Sequence, residues 1–336
     1  MLRCSSISAP AAMWILRRAF SGKVVGVFRR AVNVVADPPR GCGPDGFDPH
    51  GSGRDVERRA GAVRLISILA RELGNSPDGV LVELGSSSMP AAGFRVGQDV
   101  AGDGNCLVFE DGPVVDLERA ARWDPIPTRP DKIASLAELA ANLEALRAHI
   151  RANGRPGGML GQGTGSFDSF DLEGRLAARA GGVSAAARNG DWEAAGRVAR
   201  ELVGLGRGLT PSGDDFLAGF AATLMIGGRW IGTGAPPGLR ERFLAGAQSL
   251  AADLSSYAGG RTTLVAEALL YHASRGEVSE HLGRLIRSIL GGSAREVGAA
   301  CGRVLEIGSS SGTDLAVGIL EAGAVILALG FGPRSC

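Results

Sequence analysis

Apolar positions along this chain change their period once. In the first 120 residues the apolar runs are short, rich in β-branched residues and punctuated by glycine, at 24–28, 31–35, 80–84, 95–100, 106–110 and 113–117. Such runs predict strands, and Asp103-Gly104 and Asp111-Gly112 between them suit tight hairpin turns. Because the strands are short and non-repeating, a compact barrel or curled sheet is expected rather than a doubly wound sheet. One helix is predicted in this half, over 56–73, from Val63, Ile66, Leu69, Ala70 and Leu73 at helical spacing. Residues 36–54, with Pro38, Pro39, Pro44 and Pro49, read as a mobile loop.

A proline-rich hinge at 123–130 ends that half, and beyond it the period becomes helical. Helices are predicted over 133–151, 172–189, 192–203, from 213 onward, and over 239–256, 262–274, 279–290, 294–307 and 315–329. The one starting at 213 and the last lack a polar face, so neighbours must bury them on all sides. The last has nearly membrane-spanning length, but Glu321 interrupts it and its glycines suit tight packing, so no membrane insertion is expected. The fold class is therefore α+β: a small β-rich, barrel-like N-terminal domain followed by an all-helical C-terminal domain. Its expected divisions are an N-terminal extension at 1–22, the β-rich domain at 23–124, the hinge at 125–133 and the helical domain at 134–336. The extension is acid-free and reads as sequence upstream of the true start. The glycine-rich segment 155–166 follows a helix rather than a strand, so the dinucleotide fingerprint does not apply; a linker and an active-site lid both remain open.

Charge narrows the chemistry. With 36 basic and 35 acidic residues, no bulk field favours nucleic acid or an anionic membrane. Lys23 and Lys132 are the only lysines and neither follows a glycine-rich loop, which rules out a Walker-type phosphate loop and leaves arginine for any cationic clamp. Cys4, Cys42, Cys106, Cys301 and Cys336 are scattered, as expected of reduced cytoplasmic thiols. His50, His149, His272 and His281 form no metal-ligand spacing; His272 and His281 read as surface or partly packed residues.

The densest chemistry lies at Gly204-Leu205-Gly206-Arg207-Gly208-Leu209-Thr210-Pro211-Ser212-Gly213-Asp214-Asp215-Phe216-Leu217-Ala218-Gly219. Alternate glycines let the backbone approach a bound group, and the polar cluster stands at the mouth of the charge-free helix. Two caps are open: Thr210 with Pro211 in the first turn, or Ser212 with Asp215 at capping-box spacing. Asp214 is a second carboxylate that neither cap needs. The same Ser-Gly-x-Asp-x-x-x-Gly spacing returns at Ser311-Gly312-Thr313-Asp314 through Gly318, so two helix N-termini facing one cavity would suit a doubly anionic ligand. At Arg261-Thr262-Thr263 a helix start supplies a cap at Thr262, or an arginine clamp beside two hydroxyls.

The run Gly-Leu-Thr-Pro-Ser-Gly-Asp-Asp-Phe-Leu-Ala-Gly at 208–219 resembles the signature of the AllH-type family, a family of unknown-function domains that includes the third subunit of oxamate carbamoyltransferase. The order of the chain agrees, from the β-rich half to the Thr-rich start near Thr262 and the second box. The resemblance implies carbamoyl transfer in purine and ureide nitrogen catabolism, with oxalurate and phosphate exchanging to oxamate and carbamoyl phosphate. FdrA-type and second carbamoyltransferase subunits are the implied partners. On that reading Asp214, Asp215 and Thr210 are the candidate catalytic residues. Gly206, Arg207, Gly208, Ser212, Gly213, Arg261, Thr262, Thr263, Ser311, Gly312 and Asp314 are the candidate anion-binding residues. Free N–H groups near 212–214 would hold phosphate or the developing oxyanion. Asp214 or Asp215 would hold the carbamoyl NH2 group or a hydrated magnesium ion; the first option needs no cofactor, and none is expected. A non-catalytic, anion-binding scaffold within an FdrA-type complex is the alternative.

Overall fold

The computed structural model describes residues 1–16, 20–37, 65–161, 172–230 and 238–330. Two compact units divide at Pro125 and Ile126. In the first, short β-branched runs pair into strands β1 (Leu2–Ser8), β2 (Phe20–Val27), β3 (Ala31–Ala36), β4 (Leu65–Ala70), β5 (Gly79–Val82), β6 (Asp99–Gly102), β7 (Cys106–Phe109), β8 (Val114–Asp116) and β9 (Ala121–Trp123). Their order is β5-β4-β3-β2-β6-β7-β8-β1, and β1 pairs again with β5, so eight strands close into a barrel; β9 continues the edge of β1 beyond β8. Closure leaves few unpaired edges, the usual answer to edge exposure in short-stranded sheets.

The first residues are no extension. Strand β1 and helix α1 (Ala9–Ile15) are built into the barrel, with Cys4, Ile7, Ala11 and Ile15 buried in its core. Ser8 caps α1 through Ala11 N–H, and Pro10 lies in its first turn. Residues 65–70 also differ from expectation: they form β4 between β3 and β5, followed by a single 3-10 turn, while 56–64 lie outside the described residues. A continuous run such as Leu65-Ile66-Ser67-Ile68-Leu69 fits either period, and pairing on both edges selects the strand. The expected loop over 36–54 is described only to residue 37.

The second unit is helical: α2 (Leu136–Asn153), α3 (Leu172–Arg188), α4 (Trp192–Arg200), α5 (Ser212–Trp230), α6 (Leu239–Ala258), α7 (Leu264–Ser274), α8 (Glu280–Gly291), α9 (Ala294–Leu305) and α10 (Ser311–Ala328). Local chemistry starts several of them, with capping boxes Ser135/Glu138 on α2 and Ser293/Glu296 on α9 and caps at Asp191, Thr263 and Ser279. The apolar helices α5 and α10 form the centre, with Phe216, Phe220, Ala316 and Ile319 wholly buried. Although α10 is long and apolar enough to cross a membrane, 67% of it is buried within this unit, where it packs on α5.

One packing pattern occurs twice in the unit. Helix α6 lies on α4 and α5 as α2 lies on α9 and α10, and α3 packs on α4 as α8 packs on α9; α7 is the additional helix. Glycine sets the closest approaches. A β-carbon on Gly213 would fall under 3.0 Å from the Leu202 carbonyl oxygen, and one on Gly312 equally close to that of Val304. Where α5 crosses α10, Gly219 faces the Leu315 carbonyl and Gly318 that of Phe216 in the same manner. Away from this seam, Asn142 of α2 is buried and its amide donates to Ile289 O (3.0 Å) and Gly292 O (2.9 Å), closing the end of α8. Asn142→Ala is therefore expected to destabilise the unit by about 1–3 kcal/mol, by exposing no new surface but orphaning buried carbonyls; urea unfolding of the variant measures it.

Candidate functional site

Asp214, Asp215 and Asp314 come together at the N-termini of α5 and α10, and each is at most 1% exposed. Both oxygens of Asp214 face Gly204 N–H (3.0 and 3.2 Å), and Oδ2 also accepts the Thr262 hydroxyl at 2.6 Å. Asp215 is hydrogen-bonded to the Ser311 and Thr210 hydroxyls, which are hydrogen-bonded to one another at 2.9 Å. Asp314 accepts Met159 N–H at 2.7 Å and is hydrogen-bonded by Ser212 and Ser310. The two boxes thus exchange hydroxyls: Ser311 of the second box serves the carboxylate of the first, and Ser212 of the first serves that of the second.

Burial pushes all three carboxyls up from the usual carboxylate range, opposed by these hydrogen bonds. The rise is largest at Asp215, where the neighbouring charges of Asp314 and Asp214 add to it. Asp215 Oδ2 and Asp314 Oδ2 are buried with no hydrogen-bond partner among the described residues.

Neither expected cap is formed. Helix α5 starts at Ser212, between the two expected starts, and Asp214 N–H and Asp215 N–H bond to Pro211 O while Gly213 N–H bonds to Leu205 O. Gly312, Thr313 and Asp314 N–H are likewise taken by Ile307 O and Ser310 O. Of the free N–H groups expected near 212–214, those of Gly213 and Asp214 are already engaged, because the glycine at the second position of each helix lets the preceding loop turn back onto it.

Unengaged groups lie one step earlier. From Gly206 to Thr210 no N–H donates to a backbone group among the described residues, and Gly206 (φ 138°) and Gly208 (φ 94°) alternate with L-residues across the loop. Alternation of this kind turns successive N–H groups toward one side, the basis of backbone anion nests. Both ends of the loop are tied: Gly204 to Asp214, Leu209 O to the Thr263 hydroxyl, and Thr210 to Ser311. Arg207, Gly208 and Leu209 are exposed, whereas Thr210, Ser311, Thr262 and Thr263 are half-buried.

Arg261 is not placed as the expected clamp. Its guanidinium lies 4.5 Å from the centre of the Tyr257 ring and donates to Tyr257 O and Gly259 O, so it closes the end of the preceding helix α6. Thr263, not Thr262, caps α7, which releases Thr262 for Asp214. The described part of the glycine-rich segment, up to Gly161, is strapped to the second box: Arg155 N–H to Thr313 Oγ1 (2.8 Å), Arg155 Nη1 to Gly308 O, and the Gly158 backbone against the Asp314 carboxylate where no β-carbon fits. Residues 162–166 of that segment lie outside the described residues. Gly204, Arg155, Gly158 and Met159 lie in stretches that the sequence marked but were not among the candidate site residues; they act chiefly through backbone atoms, which residue type does not mark. His272 is buried and bonds Glu277 at 2.7 Å, and no group of three or more His, Cys, Asp or Glu among the described residues is arranged to hold a metal ion.

Together these features define a two-unit α+β protein whose helical unit holds buried carboxylates at two like-spaced helix starts and presents a pinned loop whose N–H groups have no backbone partner among the described residues. Residues 202–323 match the family model described as "Oxamate carbamoyltransferase subunit AllH", so the AllH-type signature extends over both boxes and every residue of the loop. No solved structure matches the chain.

Proposed function

We propose that this chain is a substrate-binding and co-catalytic subunit of an oxamate carbamoyltransferase-type complex, working with FdrA-type and second carbamoyltransferase subunits. The family match supports the complex, and the pinned Gly206–Thr210 loop carries the rest. Its N–H groups hold a phosphate or carboxylate oxyanion of oxalurate, oxamate or carbamoyl phosphate, and Arg207 adds charge at its exposed face. The Thr210 and Ser311 hydroxyls orient the carbamoyl group. Asp214 acts as a positioning residue, since its oxygens are occupied by the loop base; this reading assigns magnesium no role.

Carbamoyl phosphate and phosphate are expected to raise the Tm of the chain, by about 2.7 kcal/mol of stabilisation at a hundredfold excess over Kd, while ATP does not. Gly206→Ala, which places a β-carbon against Ser212 N, is expected to remove that response. A thermal shift with ATP alone, or one that Gly206→Ala leaves intact, defeats the proposal. Asp214→Asn keeps an acceptor for Gly204 but weakens the Thr262 contact, so steady-state kinetics on the assembled complex should show KM raised more than kcat is lowered. The burial of the carboxylates favours a second reading, a scaffold with its chemistry in a partner subunit; it predicts normal kcat and KM for Asp214→Asn in an intact complex.

A further inference from the structure

We infer that Asp215, acting through the paired hydroxyls of Thr210 and Ser311, is the proton relay of the transfer reaction, and that its like-spaced counterpart Asp314 is a structural fastening. The inference rests on the function proposed above. Two observations separate the twins. The Asp215 carboxyl is hydrogen-bonded to two half-buried hydroxyls, one from the loop before α5 and one from the first turn of α10, in mutual contact at 2.9 Å. Asp314 instead is covered by the Gly158 and Met159 backbone; of its two hydroxyl partners Ser212 is buried and only Ser310 is half-buried, so no pair of half-buried hydroxyls serves it.

Asp215 is also chemically suited to hold and pass a proton. The titratable groups that act on it are both acidic, Asp314 from α10 and Asp214 on its own helix, and no arginine or lysine pairs with it among the described residues. Its Oδ2 is buried without an acceptor or donor. A buried carboxyl without a counter-ion and next to other carboxyls holds its proton more tightly than a solvated one.

The reaction needs one proton moved and none consumed. When a monoprotonated phosphate attacks the carbamoyl carbon of oxalurate, a C–O bond forms and the C–N bond to the oxamate nitrogen breaks. The electron pair of that bond stays on nitrogen, which must gain a proton, while the phosphate oxygen must lose one. Asp215 passes its proton through one hydroxyl to the leaving nitrogen and recovers the phosphate proton through the other, so charge and protonation are restored at the end of each turnover. No oxidant, reductant or further co-reactant enters.

The test uses the assembled complex, with carbamoyl phosphate and oxamate as substrates. In Asp215→Asn, kcat is expected to fall about 100-fold or more, with KM for carbamoyl phosphate nearly unchanged and the alkaline fall of the kcat–pH profile abolished. Thr210→Ala and Ser311→Ala should each lower kcat, with Thr210→Ser restoring it. Retention of kcat within about threefold in Asp215→Asn, or of its alkaline limb, overturns the relay. If the natural complex shows no turnover with these substrates, the function reading fails instead. Infrared difference spectra of the full chain at pH 7 then decide the relay: a protonated-carboxyl band lost in Asp215→Asn supports it, and its absence overturns it.

Discussion

Gly318→Ala is expected to leave the helical unit unfolded or close to it at 37 °C, with Gly219→Ala only slightly milder. The two glycines face each other across the crossing of α5 and α10, and in each case the atom that a new methyl would meet is a carbonyl oxygen of the opposite helix, under 3.0 Å away. A flexible side chain in that place would swing aside. A helix carbonyl cannot move without shifting both helices, and these two carry the wholly buried centre of the unit. Overpacking of an ordinary core costs about 1–3 kcal/mol, occasionally more; a backbone obstacle at the central seam belongs at about 4 kcal/mol or above, a large part of a total stability of about 5–15 kcal/mol. Gly181→Ala on α3 is the control. Nothing lies within 4 Å of its β-carbon position, so the same substitution should stabilise there, by about 0.5–1 kcal/mol. Urea denaturation of the three variants should place Gly181→Ala above the natural chain and the other two far below it; equal losses at all three sites would show that the seam is not as close as described.

The second large effect is a dependence of stability on pH with an unusual sign. Burial raises the carboxyls of Asp214, Asp215 and Asp314 above their unfolded values, Asp215 most. Between the unfolded and folded pKa, the folded state binds more protons than the unfolded one, so stability falls as pH rises through that window. Ordinary paired carboxylates behave oppositely. Glu277, held down by His272 and Arg275, contributes stability that is present above the unfolded pKa and lost on acidification. The two trends overlap in the natural chain and separate in a variant. Asp215→Asn should melt close to the natural chain near pH 4 and increasingly above it as pH rises between the unfolded and folded pKa of Asp215, at about 2–4 °C for each kcal/mol recovered. A difference that shrinks with rising pH would mean that Asp215 is ionised and satisfied in the folded state, and would remove the basis for its holding a proton. Greater stability in a less active variant is the usual mark of a strained functional group.

Much of the helical unit was legible because its signals are local. The apolar stripes between glycine-containing loops place most helix ends within a few residues, whereas the caps at Ser135, Thr263 and Ser279 came from the structure. The barrel was legible as a class, yet β1, β4 and β9 were not, since each is defined by a distant partner: β1 by β5 and β8, β4 by β3 and β5, β9 by β1. Within the site, the residues of the two boxes were marked by composition and by their shared spacing. Their roles were not. Whether Thr262 caps a helix or bonds Asp214, and whether Arg261 reaches outward or folds onto Tyr257, depends on groups tens of residues away.

By itself, then, the sequence determined the two architectural halves, the helix boundaries of the second, and the cluster of hydroxyls, glycines and carboxylates that a small anion would need. Those follow from periodicity, turn chemistry and residue type, all of which act over a few residues. Only the tertiary structure decided that the carboxylates are sealed, that the N–H groups left unengaged lie mainly in the loop before the helix, and that one of two like-spaced aspartates opens to paired hydroxyls while the other lies under Gly158. Burial and hydrogen-bond partnership are set by which distant segments meet, and the close crossing of α5 and α10 brings those segments together.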